Sequence, residues 1–239
     1  MRRLITKYVA GIFIAVLLCL AFTSPAAAKI SAEIRADDAG LYVNYDLWIL
    51  GKKQATLTPG SQPLVIPVLG LATVELSVLE VQTDSKTIKI HAKASAPSFG
   101  IPGVEMDLPV PFGDYGLYYS LFEHRFIPIG DNKVEISALL TRLSTQYDVN
   151  INLDPFFSVS WQGTNNPANN TIHQTVAVET PLGSSTYDIT AVLEYKSAYF
   201  TNVTLTILKD GAPTGTIPPF PLPNGTYHIW ADFTLPEGL

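Results

Sequence analysis

Strict alternation of apolar and polar residues is the feature that most constrains how this chain folds. In residues 41–49, LYVNYDLWI, apolar side chains occupy one phase and mainly polar side chains occupy the other. Successive side chains of a β-strand point to opposite faces of a sheet, so this pattern is typical of a strand with one buried face. The pattern recurs along most of the chain and predicts an all-β fold of roughly ten to thirteen strands.

Turn-forming residues separate these segments and predict that neighbouring strands pair as antiparallel hairpins. Residues 72–95 alternate on both sides of Asp84-Ser85, which supplies the turn chemistry, and this segment is therefore predicted to be a hairpin. Lys209-Asp210-Gly211 and Pro223-Asn224-Gly225 are strong turn signals between the last strands. The expected sheets are accordingly antiparallel.

A break in the alternation at residues 126–133, FIPIGDNK, predicts a domain boundary. Pro128 and Asp131-Asn132 interrupt the pattern there. The segments 29–127 and 128–239 each have about the size of an immunoglobulin-like domain. We therefore predict an antiparallel β-sandwich, arranged as two immunoglobulin-like sandwich domains in tandem, with a single larger sandwich as the alternative. The sequence shows no convincing internal repeat.

Residues 1–28 have the composition of a secretory signal peptide. Arg2, Arg3 and Lys7 precede an apolar stretch that is too short for a comfortable membrane span. Ala26-Ala27-Ala28 then supplies the small residues at which a signal peptidase cleaves. We predict cleavage after these alanines. The mature protein is then expected to be exported, either to the periplasm or to the cell surface or extracellular space, and to have no transmembrane segment.

The composition of the chain limits which partners the protein is expected to bind and which side-chain chemistry it is expected to use. The chain has 15 basic and 21 acidic residues, and removal of the leader takes away three of the basic ones, which leaves 12 against 21. An acidic protein lacks the basic face that contacts phosphates, and this argues against nucleic acid as a partner. The sole cysteine, Cys19, lies in the leader, which predicts a mature protein without disulfides or thiolate chemistry.

The proline-rich segment 96–122, APSFGIPGVEMDLPVPFGDYGLYYSLF, is the first candidate for a binding surface. Glu105 and Asp107 alternate with apolar residues, so in a strand the two carboxylates share one face about 7 Å apart. Such a pair suits acid–base chemistry on a glycoside or, with Asp114, a calcium site. We favour the alternative, a solvated outer face of a strand whose prolines suit a sheet edge or a connection between sheets.

Aromatic residues and one histidine complete this candidate surface. Tyr115, Tyr118 and Tyr119 follow the carboxylates closely, and exposed tyrosines can stack on sugars or anchor a protein partner. In the alternative interpretation, which we favour, these tyrosines pack in the core or at the junction between the two domains. The binding residues predicted from the segment and its continuation are Glu105, Asp107, Asp114, Tyr115, Tyr118, Tyr119 and His124.

The sequence offers no recognisable metal, cofactor or catalytic motif. The four histidines share no metal-ligand spacing, and both His91 and His228 fall on strand phases that are predicted to face solvent. No nucleophile elbow, phosphate-binding glycine loop or dinucleotide fingerprint is present. We therefore predict no metal site, no cofactor and no enzymatic activity.

These observations predict an exported, non-enzymatic β-sandwich protein that binds or assembles with a protein or glycan partner in the bacterial cell envelope. Open sandwiches have edge strands, and edge pairing is a ready mode of assembly. One alternative is an outer-membrane β-barrel, which the many prolines disfavour. The other is a carbohydrate-active enzyme on a β-scaffold, with a site at Glu105, Asp107 and Asp114. The oligomeric state is left open.

Overall fold

Strands and turns make up the described part of the chain, which contains no helix. The computed structural model describes residues 29–47, 51–68, 72–96, 101–121, 123, 134–141, 144–153, 157–165, 170–180, 183–197 and 199–233. The predicted signal peptide, the predicted boundary between residues 127 and 128, and His124 lie outside these residues. The predicted all-β class and the antiparallel sheets are confirmed.

The chain divides into two compact units. Unit 1 extends to Tyr119 and also includes the chain from Ala231 onward, whereas unit 2 comprises Ser120–Trp230. The first eight strands are β1 (Lys29–Asp37), β2 (Gly40–Leu47), β3 (Lys52–Leu57), β4 (Leu64–Val68), β5 (Ala72–Gln82), β6 (Thr87–Ala96), β7 (Ile101–Pro111) and β8 (Gly113–Ser120). The next eight are β9 (Val134–Leu140), β10 (Thr145–Leu153), β11 (Phe157–Asn165), β12 (Thr171–Thr180), β13 (Gly183–Tyr195), β14 (Phe200–Lys209), β15 (Ala212–Pro223) and β16 (Gly225–Phe233). Strand β16 therefore contributes residues to both units.

The two units have the same strand order. In unit 1, β8-β1-β2-β3 form one row of hydrogen-bonded neighbours, and β4-β5-β6-β7 form a separate sheet. In unit 2 the corresponding groups are β16-β9-β10-β11 and β12-β13-β14-β15. Each of the strands β9 to β16 thus has neighbours that correspond to those of the strand whose number is lower by eight; β9, for example, corresponds to β1. The interpretation that the chain has no internal repeat is wrong at the level of topology.

A short sequence pattern recurs at the same place in both units. Residues 111–115 and 223–227 both read Pro-x-Gly-x-Tyr, at the point where the chain leaves the separate sheet for the other row. The Tyr115 hydroxyl donates a hydrogen bond to the Pro111 carbonyl at 2.7 Å, and the Tyr227 hydroxyl donates to the Pro223 carbonyl. Both tyrosines are buried. We call these two segments the tyrosine corners.

Three turns were predicted, and two of them close hairpins in the structure. The hairpin predicted over residues 72–95 is confirmed, because β5 pairs antiparallel with β6. Asp210 and Gly211 have positive φ angles of 51° and 78°, as a tight hairpin turn between β14 and β15 requires. Asn224 closes no hairpin, since β15 and β16 belong to different groups of strands. Its side chain instead accepts a 2.7 Å hydrogen bond from the Thr201 hydroxyl and so stabilises the second tyrosine corner.

The core of unit 1 is apolar. In β2, the alternating residues that the sequence places on one phase are buried, and β5 and β6 bury their apolar phases in the same way. Thr87 is the one buried polar side chain in the described part of this unit. The buried apolar side chains of β2, β5 and β6 are Leu41, Val43, Tyr45, Leu47, Val74, Leu76, Val78, Ile88, Ile90, Ala92 and Ala94.

Among the residues whose burial the structure describes, unit 2 has fewer large buried apolar side chains than unit 1 and more buried polar ones. Its buried apolar residues include Leu140, Val149 and Leu193. Its buried polar residues, among those described, are Ser120, Glu135, Ser137, Thr145, Ser185, Thr201, Asn224, Thr226 and His228. Polar groups are costly to bury unless they find partners, so the two units differ in how their interiors are stabilised.

Candidate functional site

The predicted carboxylates Glu105 and Asp107 lie on the exposed face of β7. Antiparallel pairing with β6 places Glu105 opposite Lys93 and Asp107 opposite His91. The Asp107 carboxylate contacts His91 Nδ1 at 2.9 Å and Lys89 Nζ at 3.4 Å, and Glu105 lies 4.0 Å from Lys93 Nζ. The interpretation of this stretch as a solvated outer face of a strand is confirmed, as is the proline-rich strand at a sheet edge.

The charge pattern continues onto a third strand. Pairing of β5 with β6 sets Glu75 opposite Lys93 and Ser77 opposite His91. Lys93 therefore lies between acidic residues on both sides, across three adjacent strands, whereas His91 has an acidic neighbour on β7 only. We call this surface the charged face of unit 1, and its residues are Glu75, Lys89, His91, Lys93, Glu105 and Asp107.

The electrostatics of the charged face keep Asp107 ionised. The hydrogen bond from the His91 ring lowers the pKa of Asp107 by more than desolvation raises it, and the nearby Lys89 ammonium lowers it further. The side chain of Asp107 is nearly half exposed to water. Asp107 is therefore a charged hydrogen-bond acceptor at neutral pH.

The structure separates the predicted tyrosines from the carboxylates. Tyr115 and Tyr119 are buried in unit 1, where the Tyr115 ring stacks on Phe233 with 6.2 Å between ring centroids. Burial raises the pKa of Tyr119 to about 12, and burial together with the Asp114 charge raises that of Tyr115 above its usual range. Of the two kinds of packing that we favoured, in the core or at the junction between domains, the structure shows core packing for these two side chains.

Two further predicted residues of β8 retain access to solvent. Asp114 is exposed at the start of the strand. Tyr118 is half-buried, and Lys29 Nζ lies 5.4 Å from the centroid of its ring, in the range of a cation–π contact. The predicted binding residues are thus distributed over the charged face, the exposed side of β8 and the core, and His124 lies outside the described residues.

A group of buried polar residues in unit 2 was not foreseen from the sequence. Glu135 and Ser137 lie on β9, and Thr226 and His228 lie on the adjacent β16. The prediction that His228 faces solvent is wrong, since 6% of it is exposed. Alternation identifies two faces of a strand, but it does not show when both faces are covered.

Burial affects both the pKa and the hydrogen bonding of these buried polar residues. Burial lowers the pKa of His228, because desolvation disfavours the charged ring. His228 Nε2 and Ser137 Oγ have no hydrogen-bond partner among the described residues, whereas the Thr226 hydroxyl donates to the Glu123 carbonyl. A signal was available in the sequence: a histidine follows the tyrosine of the second corner, where the first corner has Gly116.

The outer surface of β12, β13 and β14 in unit 2 is rich in threonine and also carries charged residues, among them Asp188, whose carboxylate lies 3.9 Å from His173 Nε2. Pairing of β12 with β13 and of β13 with β14 aligns His173, Thr190 and Thr206 in one row. In the next row, Thr171 lies opposite Val192, which lies opposite Thr204. Hydroxyl side chains thus predominate in these two rows, whereas the row Glu75, Lys93 and Glu105 of unit 1 is charged throughout.

The described residues contain no group of three or more His, Cys, Asp or Glu side chains that could hold a metal ion. No helix in the described part of the chain is long and apolar enough to cross a membrane. Comparisons with protein-family models, with curated proteins and with solved structures found no match to this chain.

Proposed function

We propose that the protein is an exported, non-enzymatic β-sandwich protein of the bacterial periplasm or cell surface, which binds or assembles with a macromolecular partner of the cell envelope. The observation that carries this proposal is the charged face of unit 1, where basic residues of β6 alternate with acidic residues of β5 and β7. Complementary charge gives protein interfaces their register and specificity. A protein partner therefore fits this face better than a neutral glycan.

The arrangement of the strands as a sandwich is also part of this proposal. In unit 1, β1 contacts β6 and β2 contacts β5, which supports two layers packed face to face. In unit 2 the hydroxyls of Thr145 on β10 and Tyr195 on β13 are 2.8 Å apart, which links the two groups of strands. Immunoglobulin-like domains distribute their strands as ABED and CFG, and the uninterrupted order β4-β5-β6-β7 differs from this. We therefore propose the sandwich without the immunoglobulin-like topology.

The geometry of the carboxylates supports binding more than catalysis. A carboxylic acid that donates a proton at neutral pH needs a raised pKa, which burial usually provides. Asp107 is exposed, its pKa is lowered, and the Lys89 ammonium and the His91 ring contact it. Glu105 is exposed opposite Lys93. These are properties of groups that are available for ion pairing with a partner.

The direct test is capture of a partner from an envelope fraction by the purified protein. The diagnostic variant exchanges one cross-strand pair, Lys93→Glu with Glu105→Lys, so that the net charge and the pair are kept while the pattern is reversed. A partner that recognises the pattern meets like charges on this variant, and we expect binding to fall at least about tenfold.

The matched control exchanges an exposed ion pair of unit 2, Glu194→Lys with Lys196→Glu. We expect this control to retain full binding. Equal binding by both exchanged variants and the wild type would exclude the charged face as the binding surface. Absence of any retained partner for all three proteins would count against a binding function altogether.

Export is tested separately, by fractionation of cells that express the full chain with a C-terminal epitope tag. We expect the tagged protein in the periplasmic or cell-surface fraction, shortened at its N-terminus by the predicted leader. Recovery of the full-length chain from the cytoplasm would contradict export while leaving the binding test unaffected.

A further inference from the structure

The sheet edges of this protein are not equally protected against pairing with another chain. The unpaired backbone groups of an edge strand attract further strands, and proline, lysine or short length protects against this. β7 and β15 are rich in proline, β3 carries Lys52 and Lys53, and β4 is a five-residue strand that contains Pro67. Four of the edge strands in the described sheets are therefore protected against pairing with another chain.

Strand β11 has none of these features. It lies at the end of its row, and β10 is its hydrogen-bonded neighbour over all nine residues from Phe157 to Asn165. The sequence FSVSWQGTN contains no proline and no charged residue. The other unblocked edge strand, β12, carries His173 and Glu179. Within the described sheets, β11 is thus the edge strand with neither a block nor a charge.

We propose that the free edge of β11 pairs with β11 of a second copy of this chain. An antiparallel pair about a two-fold axis brings the same strand opposite itself, which places like charges together unless the strand is uncharged. The chain as a whole has a formal charge of −6, so two copies repel each other except where such a neutral strand is presented. The lack of charge on β11 therefore favours its own copy over a charged peptide.

The exposed side chains of β11 fit the same partner. Ser158, Ser160, Gln162 and Thr164 alternate along one face and are all exposed. Hydroxyl and amide side chains can form hydrogen bonds across an antiparallel pair. A pairing of one strand from each copy buries little area, so the association is weak, with a dissociation constant in the micromolar range or above.

This inference rests on the proposed function, because it names the chain itself as one partner in assembly. It uses the β11 edge of unit 2 and not the charged face of unit 1. Reversal of the charged face leaves self-association unchanged if both proposals hold. Failure of one proposal is therefore distinguishable from failure of the other.

The test is sedimentation equilibrium of the protein, purified after expression of the full chain, over a wide range of concentrations. We expect the average mass to rise towards twice that of one chain. The variant Ser160→Lys with Gln162→Lys adds like charges to both sides of the pair, and we expect its association to weaken at least about tenfold.

The matched control is Gln54→Lys with Thr56→Lys, which adds the same charge to exposed positions of β3, the strand that corresponds to β11 in unit 1. We expect the control to associate like the wild type. Mixing the double-lysine variant with Ser160→Glu and Gln162→Glu should restore association as a mixed dimer. A wild-type protein that stays monomeric, or a double-lysine variant that associates equally well, would overturn the proposal.

Amide hydrogen exchange on the wild-type protein provides a second measurement that needs no variant. Pairing protects the N–H groups on the edge of β11 that no described strand covers, so exchange there should slow as the protein concentration rises, while exchange in β3 stays constant. Exchange in β11 that is independent of concentration, over the range in which dimers should form, would contradict pairing at this edge.

Discussion

Units 1 and 2 share a strand order and a tyrosine corner, yet they differ in what they bury and in what they present to solvent. Unit 1 combines an apolar interior with a charged outer face, whereas unit 2 combines a partly polar interior with a hydroxyl-rich outer face and an uncharged edge strand. The difference shows that the strand order does not depend on one particular core. The local chemistry of strands, turns and corners is common to both units, while buried and exposed side chains have diverged.

The two tyrosine corners show which contacts accompany the strand order that both units share. In each, a tyrosine hydroxyl donates to the carbonyl of the proline four residues earlier. A backbone N–H just after the proline also bonds back across the sheet, from Phe112 to Lys86 and from Asn224 to Tyr199, both at 2.7 Å. A Cβ atom at Gly113 would lie 2.3 Å from the Asp232 carbonyl oxygen, so this position has no room for a side chain.

The largest expected effect on the free energy of unfolding comes from the difference between the two interiors. Ile88→Ala removes a side chain that is fully buried in unit 1, and we expect a loss of about 3 kcal/mol in the free energy of unfolding. Ser137→Ala removes a buried hydroxyl of unit 2 that has no partner among the described residues, and we expect no loss or a small gain. Urea unfolding of both variants measures the difference. Equal losses would mean that the two interiors are stabilised in the same way.

The equivalence of the two corners is tested by Tyr115→Phe and Tyr227→Phe. Each variant removes one hydroxyl and leaves a buried carbonyl without that donor, which costs about 1–2 kcal/mol. We expect similar losses for both variants, and the double variant should lose approximately the sum. A large cost at one corner and none at the other, measured by the same unfolding experiment, would show that the corners differ in importance.

Acid sensitivity should depend on the histidine that unit 2 has where unit 1 has Gly116. The pKa of His228 is lowered by burial, so below the pKa of about 6.5 expected in the unfolded chain the unfolded state binds more protons than the folded state. Stability should therefore fall as the pH decreases from about 7 to about 5. His228→Gln should flatten this dependence, measured as the unfolding midpoint at each pH. An unchanged pH profile in the variant would assign the acid sensitivity to other groups.

The smallest effect is expected on the charged face. Asp107→Asn removes an exposed ion pair with Lys89 and the carboxylate that contacts the His91 ring, and exposed pairs contribute little to folding. We expect an unfolding midpoint indistinguishable from that of the wild type, together with weaker capture of the envelope partner. A clear loss of stability would indicate that the charged face has a structural role in unit 1.

The sequence was sufficient to predict the features that follow from local chemistry. Alternation predicts the strands and the hairpin of β5 and β6, and the prolines of β7 predict its place at a sheet edge. The described residues form 16 strands, more than the ten to thirteen expected, and the additional ones include short elements such as β4. A short strand offers too few alternating positions to be recognised from its pattern.

The features that the sequence did not reveal depend on contacts between distant segments. The repeat was missed because few residues besides the corner pattern recur, while the residues that fill the two interiors differ. Burial of Glu135 and His228 was missed because alternation cannot show that the polar face of a strand is also covered. The tyrosines of β8 were placed beside the carboxylates because they are close in sequence, although two of them turn into the core.

The most direct test of the account is capture from an envelope fraction by the exchanged Lys93→Glu, Glu105→Lys protein, compared with the wild type and with the unit 2 control. We predict that this exchange weakens partner binding at least about tenfold, while folding and self-association remain as in the wild type. Retention of the same partner at wild-type affinity by the reversed protein would contradict the claim that unit 1 binds through its charged face.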